Sequence, residues 1–205
     1  MTEDDARSWV RARFGVSRET QLEHLLSLVR AENLQQNLIA PSTIDHLWTR
    51  HIVDSAQLLL LGSDVQGKWL DIGTGAGFPG LVIACLRDQP ITLCEPRRRR
   101  AAFLASAVDQ LDLSDHVSVA PCRVEALQGD PFPIVSARAV AALPELLAAA
   151  HHVTDHRTLW LLPKGKKAWE EVVVARKTWH GRFHVEHSIT QSDSLIVVAR
   201  GLAQK

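Results

Sequence analysis

Residues 71–80 read DIGTGAGFPG, directly after the pair Trp69-Leu70. Glycine recurs at Gly73, Gly75, Gly77 and Gly80, a density that serves close approach of the backbone to something. The stretch parses in two ways. Gly73, Gly75 and Gly77 give G-x-G-x-G with an acidic residue, Asp71, two positions ahead, whereas Gly75, Gly77 and Gly80 give the dinucleotide fingerprint G-x-G-x-x-G. The first parsing belongs with methyl transfer and the second with hydride transfer.

Around this stretch, from Gly67 onward, short apolar runs alternate with helical patterns, the signature of a parallel sheet wound from β-α units. Strand candidates are KWLDIG, ITLCE, VSVAP, PIVSA, TLWLLP, FHVEHSI and SLIVVAR. Helical candidates between them are Phe78 to Leu86, Arg97 to Leu111, Pro144 to His151 and Lys166 to Thr178. The polar stretch Thr190 to Asp193 is too short for a crossover helix, so the last two strands are expected to form an antiparallel hairpin at the sheet edge. Upstream, Leu22, Leu25, Leu26 and Val29 recur at helical spacing. Ser42 with Asp45, just after Pro41, has the form that caps a helix start, which predicts a helix from near Thr43 and helical segments over Trp48 to Leu61, ending at Gly62. The expected organisation is an N-terminal helical segment, 1–62, packing on an α/β domain, 63–205, with a Rossmann-like, seven-stranded and mostly parallel sheet.

Composition narrows the class. With 205 residues, 46% of them hydrophobic, the chain can bury the core of one main domain with an appendage. Lys plus Arg and Asp plus Glu balance at 23 each, so any nucleic-acid partner must be met by a local basic patch. The start, MTEDDARSWV, lacks the basic flank and apolar run of a signal peptide, and no apolar stretch approaches bilayer length. A cytoplasmic protein with no membrane partner is expected. Cys85, Cys94 and Cys122 are widely spaced, without C-x-x-C, which predicts reduced structural thiols and no zinc site.

Three features weigh the two parsings of the glycine stretch. A carboxylate at the end of the first strand, Asp71, can hold the ammonium of an amino-acid ligand directly or through water, which favours S-adenosylmethionine. Glu95 ends the second strand and can accept ribose hydroxyls in either reading. The chain leaves no room for the substrate domain that a dehydrogenase usually carries, and the terminal hairpin suits a class I methyltransferase sheet. An NAD-dependent oxidoreductase stays as the alternative.

Six stretches in order carry a family resemblance: LWTRHIVDS (Leu47 to Ser55), DIGTGAGFPG, EPRRRRAAFL (Glu95 to Leu104), RVE (Arg123 to Glu125), SARAVAAL (Ser136 to Leu143) and LPKG (Leu162 to Gly165). Together they resemble the glucose-inhibited division protein B (RsmG) family of bacterial 16S rRNA guanine-N7 methyltransferases. The resemblance implies a class I S-adenosylmethionine-dependent fold with Asp71, Gly73, Thr74, Gly75, Gly77 and Phe78 around the cofactor. It further implies Glu95 on the ribose, Val124 and Glu125 beside the adenine, and Arg138 beside the methionine end. The substrate that it implies is a guanine in the 530 loop of 16S rRNA, within the small ribosomal subunit or an assembly intermediate. A monomer is expected, and a non-catalytic RNA-binding relative is the second alternative.

The chemistry can be checked against the residues. Guanine N7 carries a free lone pair, so its methylation needs no base to remove a proton; positioning should supply the acceleration, and no catalytic residue is expected. His51 and Asp54 share one helical face, where a packing or capping pair over the pocket is expected in preference to an acid-base pair. An arginine at an apolar strand exit is costly to bury alone, so Arg138 should have a partner: a carboxylate, with Asp71 or Glu125 as the structural ion pair, the cofactor, or an RNA phosphate. Basic groups for RNA are expected at Arg97 to Arg100, some facing the site and others pairing with Asp109 or Asp112. Arg123 and Lys164 are the expected phosphate contacts, with Arg138 and His51 as further substrate-side residues.

Overall fold

Trp69–Ile72 (β1) lies inside the sheet with every residue buried, which is why its sequence, Asp71 apart, runs apolar without alternation. The computed structural model describes residues 1–205. On one side β1 pairs in parallel with Ile91–Cys94 (β2), which pairs with Val117–Ala120 (β3). On the other it pairs with Ile134–Ala137 (β4), followed by Leu159–Lys164 (β5). Trp179–His187 (β6) and Leu195–Gln204 (β7) are antiparallel, and β7 slots between β5 and β6, giving the order β3-β2-β1-β4-β5-β7-β6. The order reverses beside β1, so the exits of β1 and β4 diverge there and open a crevice at the carboxyl ends of the strands.

Helices cover both faces. Gly80–Leu86 (α3) and Arg98–Gln110 (α4) join one apolar cluster with the long N-terminal helix Glu3–Asn33 (α1), whose Leu22, Leu25, Leu26 and Val29 pack with Trp69 and Leu81. Leu143–Ala150 (α5) and Ala168–Ala175 (α6) cover the other face with Trp160 and Trp179. The N-terminal helix starts in a capping box between Thr2 and Asp5 and kinks at Gly15, where φ is +85°.

Two local expectations differ from the structure. Ser42 and Asp45 make no cap: the segment Pro41–His46 is a 3-10 turn whose N-cap is Ala40, so Ser42 already lies inside it. The helical stretch that follows opens with a π-helical turn, Trp48–Val53, before Asp54–Leu61 (α2) closes at Gly62. Helix α3 starts at Gly80 and not at Phe78, because the glycines before it fold as turns.

Candidate functional site

Each glycine of the opening stretch has its own task. The Gly73 amide donates to the Cys94 carbonyl at 2.7 Å and the Gly75 amide to Glu95 Oε2 at 2.9 Å, which lashes the turn to the exit of β2. Gly73, with φ +67°, is bare toward Val140, since a Cβ there would lie 2.6 Å from Val140 Cγ2. Gly80 brings helix α3 against β1, where a Cβ would lie 2.7 Å from Asp71 Oδ2. Gly77 faces Leu81 and lies outside both hollows described below, contrary to its expected role at the cofactor.

Asp71 also departs from expectation. Its carboxylate is fully buried beneath the turn, accepting from the Gly80 amide at 3.0 Å and the Ser136 hydroxyl at 2.6 Å. Ser136 in turn accepts from Trp69 Nε1 at 2.8 Å. Asp71 therefore lines no ligand space and holds the turn, α3 and β4 in register. A buried carboxylate is stabilised by aimed N–H and O–H groups more readily than left to meet a ligand's ammonium. Burial pushes its pKa up to about 6, against the hydrogen bonds that lower it.

The crevice is two hollows that share Gly73, Arg100 and Ala139 to Ala141. The strip Ala139 to Ala141, with Ala139 in the left-handed region at φ +56°, forms the partition, and Val140 stands over Gly73. On one side a hollow of about 670 Å³ is lined by Ile72, Cys94, Glu95, Arg123, Val124 and Glu125. Glu95 accepts from the Gly75 and Arg97 amides, one on each oxygen, both at 2.9 Å, which leaves each oxygen a further lone pair. Val124 and Glu125 stand together on a single 3-10 turn, Val124–Ala126, which follows β3. Burial pushes the Cys94 thiol in this wall up to about 12, which disfavours the thiolate.

On the other side a hollow of about 820 Å³ is lined by Thr74, Gly75, Phe78, His51, Arg138 and the hairpin tip residues Thr190 and Gln191. The partner of Arg138 is neither Asp71 nor Glu125. Its Nη1 lies 3.7 Å from Asp54 Oδ2 and donates to the Arg50 carbonyl at 3.2 Å, and its Nη2 bonds His51 Nδ1 at 3.0 Å. All three groups come from the π-helical turn and the residue after it, which curl over the exit of β4. The expected pairing of His51 with Asp54 is thus replaced by convergence of both on one guanidinium. Burial pulls the Arg138 pKa below its ordinary value, while Asp54 opposes that shift. The His51 ring lies parallel to Phe78, with centroids 4.6 Å apart, and burial lowers its pKa to about 3.

The basic residues divide. Lys164 is 9% exposed and donates to the Ala141 carbonyl and Glu171 Oε2, each at 2.8 Å, so it clamps the partition to α6 instead of standing free for a phosphate. Arg99 and Arg100 donate to the carbonyls of Gln35 and Asn37, and neither pairs with Asp109 or Asp112. Arg97 and Arg100 line the crevice, and Arg123 is exposed at the rim of the smaller hollow. Arg50, Val140 and Gln191 belong to this site although the sequence did not single them out for it; the LWTRHIVDS and SARAVAAL stretches contain only the first two.

A family model described as rRNA small subunit methyltransferase G matches residues 18–196. The chain belongs to the rRNA small subunit methyltransferase G family. Among relatives, the Ribosomal RNA small subunit methyltransferase G of Novosphingobium aromaticivorans is 47% identical, over 100% of this chain and 91% of its own length. That of Rhizorhabdus wittichii is 43% identical over 100% of this chain and 98% of its own. Solved structures share the fold at low identity. An O-methyltransferase from Bacillus cereus in complex with SAH superposes with a TM-score of 0.62 at 14% identity, covering 94% of this chain and 96% of that one. Cofactor-bound Rv0187 from MTB gives 0.66 at 15% identity, covering 98% and 97%. Family and fold together make the chain a methyltransferase of the class I type, as the first parsing of the glycine stretch implied. No helix is long and apolar enough to cross a membrane.

Proposed function

We propose that the protein transfers the methyl group of S-adenosylmethionine to N7 of a guanine in the 530 loop of 16S rRNA, within the small ribosomal subunit or an assembly intermediate. The observation that carries this reading is the partitioned crevice: a nucleoside-sized hollow with Glu95 joins, beneath Val140, a second hollow with a fixed guanidinium. The residues fit the cofactor. Gly73 presents bare backbone where a side chain would fill the junction, and Glu95 is pre-aimed by two amides with lone pairs to spare for ribose hydroxyls. Val124 and Glu125 are suited to flank the adenine, and Thr74, Gly75 and Phe78 to meet the methionine end.

Bound there, S-adenosylmethionine supplies an electrophilic methyl on a sulfonium sulfur. What the chain contributes is placement. A guanine N7 has its lone pair available, so no residue must take a proton before attack, and His51, held neutral, is not needed as a base. Arg138, fixed from three directions, lines the hollow in which the base would meet the methyl donor and is suited to bond an acceptor such as guanine O6. Phe78 and the partition strip wall the junction with apolar side chains.

Mass spectrometry of small-subunit RNA from cells lacking the chain tests the reading. One missing N7-methylguanosine, restored by the gene, is expected. An unchanged methylation map, or saturable binding of a reduced nicotinamide cofactor instead of S-adenosylmethionine, would overturn it.

A further inference from the structure

We propose that His51 is a positioning residue: as a neutral hydrogen-bond acceptor it fixes the direction in which Arg138 presents its guanidinium to the larger hollow. The proposal rests on the reading of that hollow as the place where base and methyl donor meet. Three observations carry it. Arg138 Nη2 lies 3.0 Å from His51 Nδ1, and a guanidinium can only donate, so Nδ1 must be an acceptor. A neutral imidazole with Nδ1 free carries its proton on Nε2, and Nε2 lies 3.1 Å from Thr43 Oγ1. Thr43 Oγ1 donates onward to the Ala40 carbonyl at 2.9 Å, so the chain of donors runs in one direction from Arg138 to the backbone.

The ring itself is held. It stacks on Phe78 at an interplanar angle of 17°, and the Arg138 guanidinium carbon lies 5.5 Å from the Phe78 centroid. The π-helical turn that bears His51 is anchored at its start by Glu3, whose carboxylate accepts from the amides of Trp48 and Thr49, both at 2.9 Å. An arginine alone has several rotamers at its strand exit, whereas one bonded to His51 and the Arg50 carbonyl and paired with the charge of Asp54 has few of them left. Neither end of His51 faces a reacting atom, so it acts through Arg138.

Two substitutions separate positioning from packing. The side-chain oxygen of Asn can stand where Nδ1 stands, and that of Gln reaches where Nε2 stands. Wild type, His51→Asn and His51→Gln are compared for kcat on small-subunit RNA and for calorimetric affinity toward S-adenosylmethionine. His51→Gln is expected to lower kcat by about 10²-fold through misdirection of Arg138, with cofactor affinity held within about twofold. His51→Asn is expected to recover most of that loss. Equal loss in both variants would overturn the proposal. Nitrogen NMR of the histidine-labelled wild type decides the same point without turnover: a neutral ring protonated on Nε2 is expected, and an imidazolium or an Nδ1-protonated ring would refute the assignment. Absence of methyl transfer by wild type would sink the proposed function, and the tautomer measurement would still stand.

Discussion

Asp71 Oδ2 accepts the amide of Gly80 at 3.0 Å, joining the end of β1 to the first residue of α3 across the whole glycine turn. Its other oxygen receives the Ser136 hydroxyl at 2.6 Å, so one carboxylate ties three elements. Asp71→Ala leaves the Gly80 amide and Ser136 without their acceptor in a closed space, a loss of about 2–4 kcal/mol in denaturant unfolding. Asp71→Asn keeps an oxygen for Gly80 and removes the buried charge. It should match or exceed wild-type stability at neutral pH; an Asn variant as damaged as the Ala variant would mean that the charge itself holds the turn.

Opposite pH trends are built into Asp71 and His51. The folded Asp71 value of about 6 lies above its ordinary 3.8, so between them the folded state keeps a proton that the unfolded chain has lost, and stability falls as pH rises. For His51 the folded value, about 3, lies below the ordinary 6.5, so the unfolded chain takes up the proton first and stability is lost as pH falls from 6.5 toward 3. Each slope approaches about 1.4 kcal/mol per pH unit where the window is fully open. The two oppose each other in the overlap. Asp71→Asn should leave a stability that climbs with pH, and His51→Asn one that declines. Urea midpoints measured across pH 3.8 to 6 check both signs.

Val140 Cγ2 would lie 2.6 Å from a Cβ on Gly73, and the φ of +67° at Gly73 adds backbone strain for any side chain. Gly73→Ala should weaken S-adenosylmethionine binding by at least about tenfold, because 1.4 kcal/mol of displacement at the junction already suffices. Adding Val140→Ala relieves the contact and not the strain, so the double variant should recover part of the affinity. A double variant no better than Gly73→Ala in calorimetry would show that the partition does not bear on the cofactor.

Much of this was legible in the chain. The strand exits announced themselves because parallel strands buried on both faces must read as apolar runs, and the glycines marked the one turn where backbone had to come close. The burial of Asp71 was not legible, since a carboxylate at a strand end reads the same whether it faces ligand space or a helix amide. The partner of Arg138 was hidden for a different reason: Asp54 lies on a helix that tertiary packing alone brings over β4. Nor did Lys164 look different from a free surface cation until Glu171, one helical turn into α6, was seen to take its charge.

Arg123 and Lys164 should accordingly separate in their effect on RNA. Arg123 is exposed at the rim, so Arg123→Ala should weaken RNA binding and reduce the slope of log affinity against log salt by about 0.7–0.9. Lys164→Met, which removes a paired and 9% exposed ammonium, should leave that slope unchanged while lowering turnover through a loosened partition. Filter binding across a salt series measures the slope; a reversal between the two variants would return Lys164 to the phosphate contacts.

The most direct test of the partitioned crevice is a crystal structure of the protein with S-adenosylhomocysteine. The ribose hydroxyls should lie within hydrogen-bond reach of Glu95, the adenine beside Val124 and Glu125, and the sulfur near the Val140 partition, facing Arg138. A nucleoside lodged instead in the larger hollow, with Glu95 untouched, would contradict the account.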